Sequence, residues 1–129
     1  MGHVHIDPKY PESELTARLI GLSYEVANRL GFGYHEKYFQ RAYAQLLTEN
    51  GLPFIQEQKV VIQFGNKKIG RYFIDFVIDA RVVVELKVAS AIYPQHVKQV
   101  LAYLKSTGLK VGLLIVITKQ GVKIKRIIN

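Results

Sequence analysis

One stretch of this chain constrains its fold more than any other: Lys110–Thr118, KVGLLIVIT. Between its ends it has neither the two-residue alternation of a half-wetted strand nor the polar face of a surface helix. A run this short, uniformly apolar and rich in β-branched residues is expected for a strand covered on both faces. Helices elsewhere in the chain must then do the covering, which points to an α/β architecture.

The rest of the sequence supplies those helices. Leu15, Leu19, Leu22, Val26 and Leu30 recur at helical spacing from Glu14 to Leu30, with Ser13 read as the N-cap and Gly31 as the stop. After Gly31–Gly33, a second helix is predicted from His35 or Glu36 to Asn50-Gly51. Its apolar stripe is Phe39, Ala42, Tyr43, Leu46 and Leu47, and Glu36 shares its inward side. The period then changes. Gln58–Phe64, Arg71–Ile78 and Val82–Lys87, the last reading VVVELK, form three consecutive antiparallel strands by pattern. A helix from about Gln95 to Ser106, the strand KVGLLIVIT and a last strand VKIKRII complete the order ααβββαββ. The expected fold is one mixed sheet flanked by helices, in a single domain over 1–129 with 1–12 as an extended N-terminal segment.

Composition narrows the chemistry. At 129 residues and 49% hydrophobic content the chain can close a core without staples, and with no cysteine it has no disulfide, thiolate zinc site or cysteine nucleophile. Eighteen Lys and Arg against ten acidic residues give a net charge of +8, which favours a polyanionic partner. No apolar run approaches a membrane span and no signal peptide is visible, so the expected protein is soluble, cytoplasmic and without a membrane partner. His3 and His5 receive no function.

Against this background the run DFVIDARVVVELK, Asp75 to Lys87, raises a question, because charge inside apolar strands is costly unless paired or holding a metal. Alternation puts Glu85 and Lys87 on one face. A hairpin centred on Ala80 sets Asp75 opposite Glu85, with Cβ atoms about 5 Å apart. Two carboxylates that close repel unless a divalent cation or the Lys87 ammonium intervenes. Oxygen ligands for Mg2+ or Mn2+ beside a lysine are what a metal-dependent phosphodiesterase requires. A salt-bridge cluster on a solvated sheet face is the competing explanation. On the following helix, His96, Gln99 and Tyr103 form a polar line at i, i+3 and i+7. Such a line is more often a solvated helix face, but its position directly after E-x-K makes it a candidate supporting layer.

Together these elements resemble the PD-(D/E)XK nuclease superfamily. Asp75 and Glu85-Leu86-Lys87 match its central motif, with Ile74-Asp75 where Pro-Asp is usual, and Gln99 to Tyr103 match the Q-x3-Y helix motif of the branch that includes the nuclease domains of bacterial recombination helicases. From Glu14 onward the chain looks like the small GxxExxY proteins of that superfamily. The naming motif falls on Gly33 to Phe39, phenylalanine replacing the last tyrosine, and Ile117-Thr118 stands where Asn-Phe is frequent. Gln58, the run from His96 to Lys105 and Lys125-Arg126 also fall where that family has them.

The resemblance implies a restriction-endonuclease-like fold and a metal-dependent nuclease acting on DNA or RNA. It implies Asp75, Glu85, the Leu86 carbonyl and Glu36 as metal ligands, Lys87 as the group that positions water or stabilises charge, and Gln99 and Tyr103 as orienting residues. Lys98, Lys105, Lys123, Lys125 and Arg126 are candidates to guide the backbone of a nucleic acid. A homodimer or a protein partner would supply specificity that so small a chain has little room for. The rival expectation is a non-catalytic module that binds nucleic acid or protein and keeps the fold.

Overall fold

The computed structural model describes residues 10–129. Of the expected N-terminal extension, residues 1–9, including His3 and His5, lie outside the described residues, whereas 10–12 make a bend and turn rather than an extended segment. Helix α1, Ser13–Leu30, begins there. Ser13 is not its cap. Glu12 takes that position with φ 60°, and no side chain caps the helix. The buried hydroxyl of Thr16 instead donates to the Glu12 carbonyl at 2.9 Å, and Gly31, at φ 76°, ends the helix as expected.

Helix α2, Glu36–Glu49, packs along α1, and the Tyr43 hydroxyl donates to the Leu19 carbonyl at 3.0 Å. Burial drives this pairing: Leu15, Leu19 and Val26 of α1 meet Phe39, Tyr43, Leu46 and Leu47 of α2 in one cluster. Beyond α2 come strands β1 (Phe54–Phe64), β2 (Lys67–Ile78) and β3 (Val82–Val88), helix α3 (Pro94–Thr107), and strands β4 (Val111–Thr118) and β5 (Gly121–Ile128). The order is the one expected. The first two strands are longer than their apolar patterns indicated, starting at Phe54 and Lys67 rather than Gln58 and Arg71. The added parts are largely exposed and carry little hydrophobic signal.

The five strands form one sheet in sequence order, β1-β2-β3-β4-β5. All neighbours are antiparallel except β3 and β4, which run parallel because α3 carries the chain back across the sheet. Every residue of β4 is buried, as its sequence demands. Leu113 and Ile115 face α1 and α2, while Leu114 and Val116 face α3 with Val100 and Leu104. Gly112 lets α3 approach closely, since a Cβ there would lie 2.6 Å from Val100 Cγ1.

The hairpin between β2 and β3 turns through Asp79 and Ala80, both at positive φ, and pairs Phe76, Val77 and Ile78 with Val84, Val83 and Val82. This is the register centred on Ala80. The ladder stops one residue short of Asp75, however. There β2 leaves β3, and the pairing of β1 with β2 also omits Glu57 opposite Asp75, with Glu57 at φ 55°. The faces exchange at this point: Tyr72 and Ile74 pack on the α3 side, whereas Phe76 and Ile78, of the same parity, pack on the other. Strict alternation would have missed this irregularity, which leaves one edge of β3 without a strand neighbour from Glu85 onward.

Candidate active site

Side chains take the place of the missing ladder. The Leu86 N–H donates to Asp75 Oδ2 at 3.0 Å, and the Asp75 N–H donates to Glu85 Oε1 at 2.9 Å. Each strand's backbone therefore holds the other strand's carboxylate. Asp75 and Glu85 meet across the hairpin as expected, but through these reciprocal bonds and not as a backbone pair. Further along, the Val88 N–H donates to Glu36 Oε1 at 2.9 Å. Glu36 reaches it from the first turn of α2, so its inward placement holds.

Lys87 Nζ lies 3.3 Å from Glu85 Oε2, on the shared face that alternation required. Gln40, one helical turn beyond Glu36, was not singled out in the sequence. Its amide nitrogen donates to Asp75 Oδ2 at 3.2 Å and to the Leu86 carbonyl at 3.3 Å. The signal was present: Glu36 and Gln40 stand at i, i+4 on the inward face of a helix whose neighbours on that face are apolar.

Burial sets the electrostatics. It pushes Glu85, 1% exposed, up to about 7, and the nearby Asp75 carboxylate adds to the rise against the opposing Asp75 N–H and Lys87. Asp75 is likewise raised by burial and by Glu36, with the Leu86 N–H, Lys87 and Gln40 pulling the other way. Burial alone would lower Lys87, but Glu85, Asp75 and Glu36 outweigh it and hold it above its ordinary value as a firm cation. Tyr103, buried on α3 and edge-to-face with Tyr72 at 5.2 Å, is raised by burial and then by Glu85 and Asp75, so it stays a neutral phenol.

The remaining expected residues divide. Tyr103 is brought close enough to feel both carboxylates, though it is not hydrogen bonded to either. Gln99 is half-buried, and among the described residues its side chain forms no hydrogen bond. His96 is half-buried with an unpartnered Nδ1, and His35 is exposed. Lys98, Lys105, Lys123 and Lys125 are exposed, whereas Arg126 donates to the Thr16 hydroxyl at 2.6 Å and to the Pro11 carbonyl, clamping the start of α1. Among the described residues no three His, Cys, Asp or Glu side chains gather as a metal cage. What the edge offers is two carboxylates and a backbone carbonyl, a hard all-oxygen set that suits Mg2+ or Mn2+ and would have its mutual repulsion relieved by either.

A mixed sheet between helices, with Asp75, Glu85 and Lys87 converging at a broken strand edge, defines a nuclease-type α/β domain. The comparisons agree: a family model described as the PD-(D/E)XK nuclease superfamily matches residues 13–127, and the chain belongs to that superfamily. Its members generally use divalent metals such as Mg2+ and act on nucleic acid. A solved structure described as "Crystal structure of SSO0001" superposes with TM-score 0.60 at 23% identity, over 92% of this chain and 59% of that one. The likeness is one of fold, and the present chain spans 59% of that protein's length. No curated protein sequence matches this chain. Among the described residues no helix is long and apolar enough to cross a membrane.

Proposed function

We propose that the chain is a Mg2+- or Mn2+-dependent nuclease that hydrolyses phosphodiester bonds in DNA or RNA. One observation carries this reading: the carboxylates of Asp75 and Glu85 are interlocked with the bare edge of β3, beside a charged Lys87. Asp75, Glu85 and the Leu86 carbonyl would hold the cation, with Glu36 fixing the edge from α2 and open to join them. When bound, the metal supplies neutralisation of phosphate charge and activation of a water.

The protein's own groups do the rest. Lys87 keeps its proton on Nζ beside three carboxylates, so it acts as a donor and positive charge, orienting the water or offsetting charge that grows on the phosphate, and not as a base. Tyr103 keeps its phenolic proton and is pinned by Tyr72, which suits it to hold a phosphate oxygen or Lys87. Gln99, one turn earlier, is assigned the same orienting role. The net charge of +8 supports a polyanionic substrate. We further propose that the chain is a GxxExxY-type protein, on Gly33 and Glu36, that it acts as one domain in the cytoplasm, and that a second copy or a protein partner contributes specificity.

The test is cleavage of labelled DNA and RNA with and without Mn2+. Cleavage by the unmutated chain should require the metal and disappear in Lys87→Ala and Asp75→Ala variants that remain folded by circular dichroism. Equal cleavage by those variants would sink the assignment. Salt-sensitive binding with no metal-dependent turnover would favour a binding module instead.

A further inference from the structure

Gln40 carries no charge and has no role in the reading above. Yet its amide nitrogen stands 3.2 Å from Asp75 Oδ2 and 3.3 Å from the Leu86 carbonyl oxygen, two of the oxygens assigned to the metal. An NH2 group has two N–H donors, and aimed at two oxygens it satisfies them much as a cation would. The spacing, that of ordinary hydrogen bonds, is also compatible with coordination. Around Mg2+, with bonds of about 2.1 Å, neighbouring ligand oxygens in an octahedron lie about 3.0 Å apart. The end of the Gln40 side chain is thus already near ligand spacing from both oxygens. Only the facing atom is wrong for a ligand, and a half-turn of the terminal amide torsion, which is broad and roughly two-fold, exchanges Nε2 for Oε1.

We infer that Gln40 is itself a metal ligand. Without a cation its NH2 bridges Asp75 Oδ2 and the Leu86 carbonyl and keeps the open edge of β3 assembled. With a hard divalent cation it turns and presents Oε1 as a third side-chain oxygen. The position suits a neutral group: Glu36, on the same helix face, already spends Oε1 on the Val88 N–H, while Gln40 reaches both Asp75 Oδ2 and the Leu86 carbonyl. A neutral amide adds a donor without adding a third negative charge to two carboxylates that already repel. The inference rests on the metal-dependent reading of Asp75 and Glu85.

Mn2+ titration calorimetry on the full chain tests it, comparing the unmutated protein with Gln40→Ala, Gln40→Met and Gln40→Glu, each checked by thermal unfolding. Gln40→Ala and Gln40→Met should weaken Mn2+ binding by about tenfold or more. Gln40→Glu, which always presents oxygen, should bind more tightly, losing thermal stability without Mn2+ and regaining it with Mn2+. Binding by Gln40→Ala as tight as, or tighter than, that of the unmutated chain would make the amide a plug, and binding by Gln40→Glu as weak as that by Gln40→Ala would make it a strut that only positions Asp75; either overturns the inference while leaving the nuclease reading intact. No Mn2+ uptake by the unmutated chain would overturn both. A Mn2+ soak of crystals of the unmutated chain decides the matter where a substitution disturbs folding. Anomalous density at bonding distance from Gln40 Oε1 supports the assignment, and density with Gln40 turned away refutes it.

Discussion

The two edges of β3 teach different lessons. Along one, Val82 to Val88 pair without interruption with Val111 to Ile117 of β4, backbone to backbone. Along the other, only Val82, Val83 and Val84 pair with β2, and then the N–H groups of Leu86 and Val88 are taken by the carboxylates of Asp75 and Glu36. A buried backbone donor must be satisfied on either edge. The first edge uses another backbone and gains rigidity. The second uses ionisable side chains and gains chemistry, because carboxylate oxygens have spare lone pairs that can also take a cation.

If this contrast is right, substitutions on the two edges should fail in different ways. The largest effect is expected at the open edge, where Lys87→Ala should lower the rate of metal-dependent cleavage by about 10²–10³-fold, as for loss of one donor to developing charge. Unfolding curves run in parallel should stay cooperative. Collapse of the fold in Lys87→Ala would make the open edge structural after all.

The next effect is one of pH. Glu85 ordinarily titrates at 4.5 and is pushed to about 7 in the fold. Between those values the folded chain keeps a proton that the unfolded chain has lost, so stability is greatest below the lower value and falls as pH rises through the higher. The loss across this window is on the order of 3 kcal/mol. Denaturant unfolding of the metal-free chain from pH 4.5 to 8 should show the decline, and Glu85→Gln should flatten it. A rise in stability with pH across this window in the unmutated chain would contradict the burial argument.

On the closed edge, Gly112→Ala should destabilise by about 1–3 kcal/mol through overpacking against Val100. The cleavage rate per folded molecule should be unchanged, and a rate lost in proportion to Lys87→Ala would erase the distinction between the edges. The smallest effect is expected at the turn joining β2 to β3. Ala80 sits at φ 54°, so Ala80→Gly should stabilise by up to about 1 kcal/mol, read as a shift in the denaturation midpoint, with both edges undisturbed.

Much of the site was legible because two periodicities sufficed. Alternation put Lys87 on the face of Glu85, and the turn at Ala80 fixed the register that brings Asp75 to Glu85. Helical spacing turned Glu36 inward. Gln40 went unread although it obeys the same spacing, since an uncharged polar residue raises no question of where its charge goes. The exposed outer parts of β1 and β2 went unread for a related reason: with little buried surface, they leave no hydrophobic pattern. Arg126 looked like a free surface cation, and only its contacts with Thr16 and Pro11 show it fastening the N-terminal side of α1.

By itself, then, the sequence determined the order of elements, the burial of β4 on both faces and the pairing register of β2 with β3, because apolar periodicity and turn position are local properties. Where the ladder between β2 and β3 ends was decided only in the tertiary structure. That break depends on the irregularity at Glu57 on a neighbouring strand and on the carboxylates and amide arriving from β2 and α2 to satisfy the freed edge. Local patterns say which way a side chain points. Only the packed chain says which backbone groups are left for it to meet.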